Sequence, residues 1–144
     1  MLPGSLTNND LDIYKKLIYN EVIQSVDRNG RKMSQLQQLR KGSTPLLILS
    51  VLSGEKMYGY QIMRELERRS EGYFSMTAAL LYPALHQLEL DGLLKSDWQE
   101  GQGKRKRKYY SITPKGRKAL TTSQAEWKTF IENLQKTLEP TMGS

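Results

Sequence analysis

The sequence predicts a mainly α-helical chain interrupted by a single two-stranded β hairpin, with a helix at each end. Three observations predict it. Apolar residues recur at spacings of three and four over most of the chain; the period drops to two only between Leu93 and Ile112; and five consecutive basic residues, Lys104 to Lys108, follow the glycines Gly101 and Gly103 that supply a turn. With 144 residues, 38% of them hydrophobic, and only five prolines, one folded domain with a real core is expected.

Residues 1 to 9 are small and polar and predict little structure. From Asp10 the apolar positions Leu11, Tyr14, Ile18 and Val22, with Ile13, Leu17 and Val26 beside them, share a helical face. Asn9 is the candidate cap, Asp10 and Asp12 suit the positive end of the helix dipole, and the helix is expected to reach about Asp27 before Asn29-Gly30 stops it. Met33, Leu36 and Leu39 predict a short helical piece ahead of Lys41-Gly42. Thr44-Pro45 then reads as a fresh helix start, with the hydroxyl as N-cap and proline where a missing N–H costs nothing. The segment that follows is apolar almost all round, so Leu46, Leu47, Ile48, Leu49, Val51 and Leu52 are core candidates, and Ser53-Gly54 ends the helix.

A second helix of this group is expected from about Tyr58 to Arg69, with Ile62, Met63 and Leu66 inward and Arg64, Glu65, Glu67 and Arg68 outward. The third starts from a cap at Ser75 or Thr77 and runs to Asp91-Gly92, with Leu81, Ala84, Leu85 and Leu88 on one face and Ala79, Tyr82, Pro83, His86 and Gln87 on the other. Pro83 should bend it slightly or loosen its first turn. In the hairpin, Leu94, Ser96 and Trp98 alternate with Lys95, Asp97 and Gln99, and Tyr110 and Ile112 with Tyr109, Ser111 and Thr113. Met57, Met63 and Met76 read as core or boundary fillers.

Thr113-Pro114 opens a last helix that continues to about Leu138. Leu120, Trp127, Ile131, Leu134 and Leu138 form a stripe on it, with Phe130 at the edge, and a small globule does not cover a stripe that long. Homodimerisation is the expected outlet, and the N-terminal helix is expected to pack with it. The expected organisation is an N-terminal helical extension over residues 1–41, a folded unit over 42–113 and a dimerisation helix over 114–144.

Helix, helix, helix, strand, strand is the order of a winged helix-turn-helix, in which the third helix enters the major groove of DNA and the hairpin, the wing, grips the flanking backbone. The charge distribution agrees. Of 22 basic residues eight lie in residues 104 to 120, where there is no acid; the remaining 14 face 15 acidic residues, a net −1 in a chain of +7. Lys104, Arg105, Lys106, Arg107 and Lys108 are therefore the candidate phosphate contacts. Thr77, Tyr82, His86 and Gln87 are the candidates on the third helix. Gln87 has the chemistry to pair with adenine or simply to be solvated, Tyr82 sits at the boundary between DNA-facing and core positions, and His86 serves packing, phosphate or base contact. The rival reading is an interaction module or nonspecific architectural protein whose basic hairpin docks an acidic partner or an anionic surface.

The segments LLILSVLSGEKMYGYQI, LLYPALHQLELDGLL and RKYYSITPKGRKAL, between Leu46 and Leu120, resemble the PadR-like transcriptional regulators over about half the chain. The resemblance implies a winged-helix, homodimeric, cytoplasmic DNA-binding regulator, usually a repressor and often released by a small molecule. It places Tyr58-Gly59-Tyr60 at the start of helix two, Leu81-Tyr82-Pro83 and Leu88-Glu89 in the recognition helix, and Tyr109-Tyr110 at the end of the wing. Trp127 and Phe130 read first as interface packing, but in a subgroup of the family a tryptophan in the last helix lines a dimer-interface pocket for flat aromatic compounds, and SQAEWKTFIENL is similar. Two departures stand out: Ala79-Leu80 replaces the family's common Gly-Thr, removing a hydroxyl near the DNA backbone, and the segment before Lys41 is longer than the family's short N-terminal helix.

Other classes have little support. There is one histidine, His86, and no cysteine, so a metal site would need carboxylates alone, and no nucleophile with its base is in view. Neither catalysis nor a cofactor is expected. The longest strongly apolar stretch, Leu46 to Leu52, is too short to cross a bilayer, and no signal-type apolar region follows the N-terminus, so an intracellular location is expected.

Overall fold

The computed structural model describes residues 7–13, 15–16, 26–27, 29–100, 103 and 105–139, and the chain divides into two units, Met1–Gly42 and Ser43–Ser144. In the first unit residues 8–13 and 15–16 are helical. Their cap is Thr7 rather than Asn9: the Asp10 N–H donates to Thr7 Oγ1 at 3.2 Å and the Thr7 N–H to Asp10 Oδ2 at 3.1 Å. The Thr7 hydroxyl, donating to Asp10 Oδ2 at 2.7 Å, and after it the Thr7 N–H hold the Asp10 carboxyl below its ordinary pKa. Helix does not extend to Asp27. Val26 instead bridges Lys32 in antiparallel fashion, and the Asp27 carboxylate accepts from the N–H groups of Asn29 at 2.9 Å and Arg31 at 2.8 Å. An aspartate that binds backbone ahead of it stabilises a turn in competition with helix. Tyr14, Leu17, Ile18 and Val22 of the expected face lie outside the described residues.

Helix α1 spans Gln35–Leu52. Its first turn is closed by a reciprocal pair, Ser34 N–H to Gln37 Oε1 at 2.9 Å and Gln37 N–H to Ser34 Oγ at 3.2 Å. The two helices expected on either side of Gly42 are thus one, and Thr44-Pro45 lies inside it rather than at its start. Pro45 removes one backbone bond, which with its ring clash typically costs about 3 kcal/mol or more, but residues 41, 42 and 45 are exposed and the Lys41 carbonyl can turn to water. The residues beyond it are buried, with Ile48, Leu49, Val51 and Leu52 at 2% exposure or less, and each contributes about 1.5–3 kcal/mol. Leu46 and Leu47, also expected in the core, are only partly buried against it.

A two-residue strand β1, Met57–Tyr58, precedes helix α2, Gly59–Arg69. Tyr58 is therefore not helical as expected but extended, and its N–H donates to Gln61 Oε1 at 3.2 Å. Helix α3 is Ala78–Leu90, with Thr77 Oγ1 accepting from the Leu80 N–H at 3.3 Å. It ends in a Schellman motif: Leu93 N–H to Leu88 carbonyl at 2.9 Å and Gly92 N–H to Glu89 carbonyl at 3.0 Å, with Gly92 at φ 76°. Strands β2, Leu94–Glu100, and β3, Lys106–Ile112, pair antiparallel, and β1 joins on the other side of β3. The wing is thus part of a three-stranded sheet rather than a free two-stranded hairpin.

Helix α4, Pro114–Leu138, is capped by Thr113, which accepts from the Gly116 N–H at 3.0 Å and donates to the Gly92 carbonyl at 2.7 Å. Gly116 lies so close to the Leu93 carbonyl oxygen that no side chain fits there. One core joins Ile48, Leu52, Ile62, Leu66, Leu81, Leu85, Leu88, Leu94, Tyr110, Ile112 and Leu120. Leu120 thereby leaves the stripe it was expected to share with Trp127: the first turns of α4 are held against the sheet at Gly116, so Leu120 closes the core of its own unit and is 6% exposed.

Candidate nucleic-acid interface

Helix α3 turns Leu81, Leu85 and Leu88 into the core and leaves Tyr82, Pro83, His86 and Gln87 exposed. Tyr82 is neither fully core nor fully free. It is 48% exposed, yet a methyl group at Gly59 would fall 2.5 Å from its hydroxyl, so its ring edge rests on the bare backbone at the head of α2. Gln87 Nε2 donates to Asp91 Oδ1 at 3.0 Å, one helical turn on. Thr77, exposed at the head of the helix, uses its hydroxyl oxygen as the cap.

Cross-strand partners share a face. The register pairs Leu94 with Ile112, Ser96 with Tyr110, Trp98 with Lys108 and Glu100 with Lys106, so these residues form one face of the wing, the face that is core at its base. Lys95, Asp97 and Gln99 with Ser111, Tyr109 and Arg107 form the other.

The basic residues do different things. Arg105 and Lys106 are exposed at the wing tip; Lys104 and Gly101 lie outside the described residues. Arg107 lies over the Tyr58 ring, 4.4 Å from its centroid, and Tyr58 meets Tyr109 edge-on at 5.5 Å, with Lys56 5.8 Å from the Tyr109 ring. This row ties the outer face of the sheet together. Lys108 Nζ is 3.7 Å from Glu89 Oε1 on α3 and 5.6 Å from the Tyr110 ring. Burial raises the pKa of the Tyr110 phenol, with Lys108 opposing the shift. Further along, Lys115 Nζ donates to the Asp91 carbonyl at 2.8 Å and Arg117 to the Ser53 carbonyl at 3.2 Å, so two cations of the basic segment close the ends of α3 and α1 instead of widening the patch.

Glu89 is the hinge of the arrangement and was not singled out for it. One carboxylate oxygen accepts a short hydrogen bond from Ser96 Oγ and the other faces Lys108, so α3 and both wing strands meet at one half-buried side chain. A hint was present: Ser96 is a polar residue at an inward position of β2, where a buried hydroxyl needs a partner.

On α4, Trp127 is half-buried and meets Phe130 edge-on at 6.1 Å. Phe130, Ile131, Leu134 and Leu138 are 51%, 46%, 40% and 72% exposed. Among the described residues, no three His, Cys, Asp or Glu side chains group as metal ligands, and no helix is long and apolar enough to cross a membrane.

The transcriptional regulator PadR-like family matches residues 48–122. The transcriptional regulator Rv3488 of Mycobacterium tuberculosis is 35% identical over 86 residues, 60% of this chain and 77% of that protein. A PadR family transcriptional regulator from Eggerthella lenta superposes with a TM-score of 0.64 at 32% identity, covering 85% of this chain and 97% of that one. A transcriptional regulator from Clostridium thermocellum gives 0.65 at 29% identity, covering 70% and 98%.

Proposed function

The chain belongs to the PadR-like family of transcriptional regulators, which are not enzymes, and from that premise we propose that it binds duplex DNA sequence-specifically as a cytoplasmic homodimer and acts as a ligand-responsive repressor. In this reading residues 42–113 bind DNA, residues 114–144 dimerise and residues 1–41 are a helical extension.

The observation that carries it is the Glu89 bridge, because it holds the exposed side of α3 and the basic wing in one arrangement. A helix offering Tyr82, His86 and Gln87 to base edges next to a wing tip offering Arg105 and Lys106 to phosphates divides the labour as DNA readers do. The bare stripe of Phe130, Ile131, Leu134 and Leu138 supports dimerisation, and the Trp127–Phe130 pair supports a flat aromatic effector between protomers.

Replacing Lys104, Arg105 and Lys106 together with alanine tests the wing. Binding should weaken about equally on operator and random duplex, and the salt slope should flatten by about one per lost phosphate contact. Replacing His86 and Gln87 with alanine should instead reduce the preference for operator over random duplex. An unchanged wing mutant, or equal losses on both duplexes for the helix mutant, refutes the assignment.

A further inference from the structure

The inward alternation of β2 runs Leu94, Ser96, Trp98, and burial fades along it: Leu94 is 2% exposed, Ser96 half-buried, Trp98 66% exposed. The indole is therefore on the core-side face of the wing but beyond the reach of the core. It is paired across the ladder with Lys108, the next rung on the same face is exposed Glu100 with Lys106, and exposed Arg105 adjoins at the tip. An apolar plate on an edge strand, flanked by Lys106, Lys108 and Arg105 against the single acid Glu100, is ill-suited to a neutral protein partner and suited to a polyanion with apolar walls. Duplex DNA offers such walls: its bases are stacked away, but the deoxyribose rings bordering the narrow minor groove expose carbon between two rows of phosphate.

We propose that Trp98 seats against the sugar walls of the minor groove, as a contact that is insensitive both to sequence and to salt while Arg105 and Lys106 at the tip hold the phosphates. The inference rests on the DNA-binding reading and adds to it a component of affinity that the basic residues do not provide. Ser96, two residues earlier on the same face, is bonded to Glu89 of α3, so the indole lies on a surface continuous with the recognition helix. Since Trp98 supports no core, its replacement leaves the fold intact.

The test uses the full chain and a mixed-sequence duplex spanning about two helical turns. Trp98→Ala should weaken binding by about tenfold at every salt concentration and leave the salt slope unchanged, with Trp98→Phe between it and the wild type. The chain has two tryptophans, so acrylamide quenching separates them: duplex should shield emission in the wild type and in Trp127→Phe, and give no shielding in Trp98→Phe. The inference is overturned if Trp98→Ala binds as the wild type does, if the salt slope changes with it, if shielding persists in Trp98→Phe, or if Trp98→Ala dissociates a dimer. In each case the wing reading survives as long as the alanine mutant of Lys104, Arg105 and Lys106 loses affinity. A wild type that binds no duplex overturns both.

Discussion

Replacing Glu89 with alanine probes the joint between helix and wing. Two interactions are lost. The Ser96 hydroxyl bonds to an ionised oxygen, which typically contributes about 1.5–3 kcal/mol, whereas the Lys108 pair at 3.7 Å, with side chains 36% and 30% exposed, contributes less than about 1 kcal/mol once solvent screening is allowed for. Together they make about 2 kcal/mol, and the mutant leaves a half-buried hydroxyl without its acceptor. For a domain of roughly a hundred residues that lowers the melting temperature by about 8 °C. Thermal unfolding followed by circular dichroism measures it, and a cycle with Ser96→Ala isolates the pair: the double mutant should be little worse than Glu89→Ala, giving a coupling of about 1.5 kcal/mol. If the two single losses add to within about 0.3 kcal/mol, the bond does not operate in solution and the joint is held without it.

Leu134→Asp on α4 should give monomers in sedimentation velocity, because Phe130, Ile131 and Leu134, each about half exposed, gain roughly 1 kcal/mol apiece per protomer when covered and a carboxylate cannot be buried among them unpaired; a persistent dimer refutes that interface. Gly59→Ala places a methyl group 2.5 Å from the Tyr82 hydroxyl and should push the half-exposed ring aside at a cost below about 1 kcal/mol, so that near-ultraviolet circular dichroism of the tyrosines changes more than stability does. Glu65 bonds to Arg68 at 2.6 Å and to Arg69 at 2.9 Å, and these hydrogen bonds, Arg68 first, lower its pKa to about 2. A lowered carboxyl pKa stabilises the folded state above the ordinary 4.5 and ceases to do so as the pH falls toward about 2, so a carboxyl NMR titration should find the midpoint near 2 and Glu65→Gln should flatten stability across that window.

The sequence by itself determined the element order from α2 onward and the family. Those features rest on local chemistry: period-three-and-four apolar faces, the Thr113-Pro114 start, the Gly92 stop and the shift to period two after Leu93 each need only near neighbours in the chain. Where local signals competed, tertiary structure decided. Thr44-Pro45 has the form of a helix start but lies within α1, which the Ser34–Gln37 pair starts ten residues earlier and where the exposed Lys41 carbonyl can turn to water. Tyr58 became a strand residue because β3 offered it a ladder partner fifty residues away, which no window along the chain registers. The site followed the same division. That residues 104 to 108 are basic is plain in the sequence, but Arg107 lies over Tyr58, Lys108 faces Glu89, and Arg105 and Lys106 stay open to solvent. Equally, Leu120 and Trp98 continue apolar patterns in their own elements, and only the extent of the core decides that Leu120 is covered and Trp98 is not.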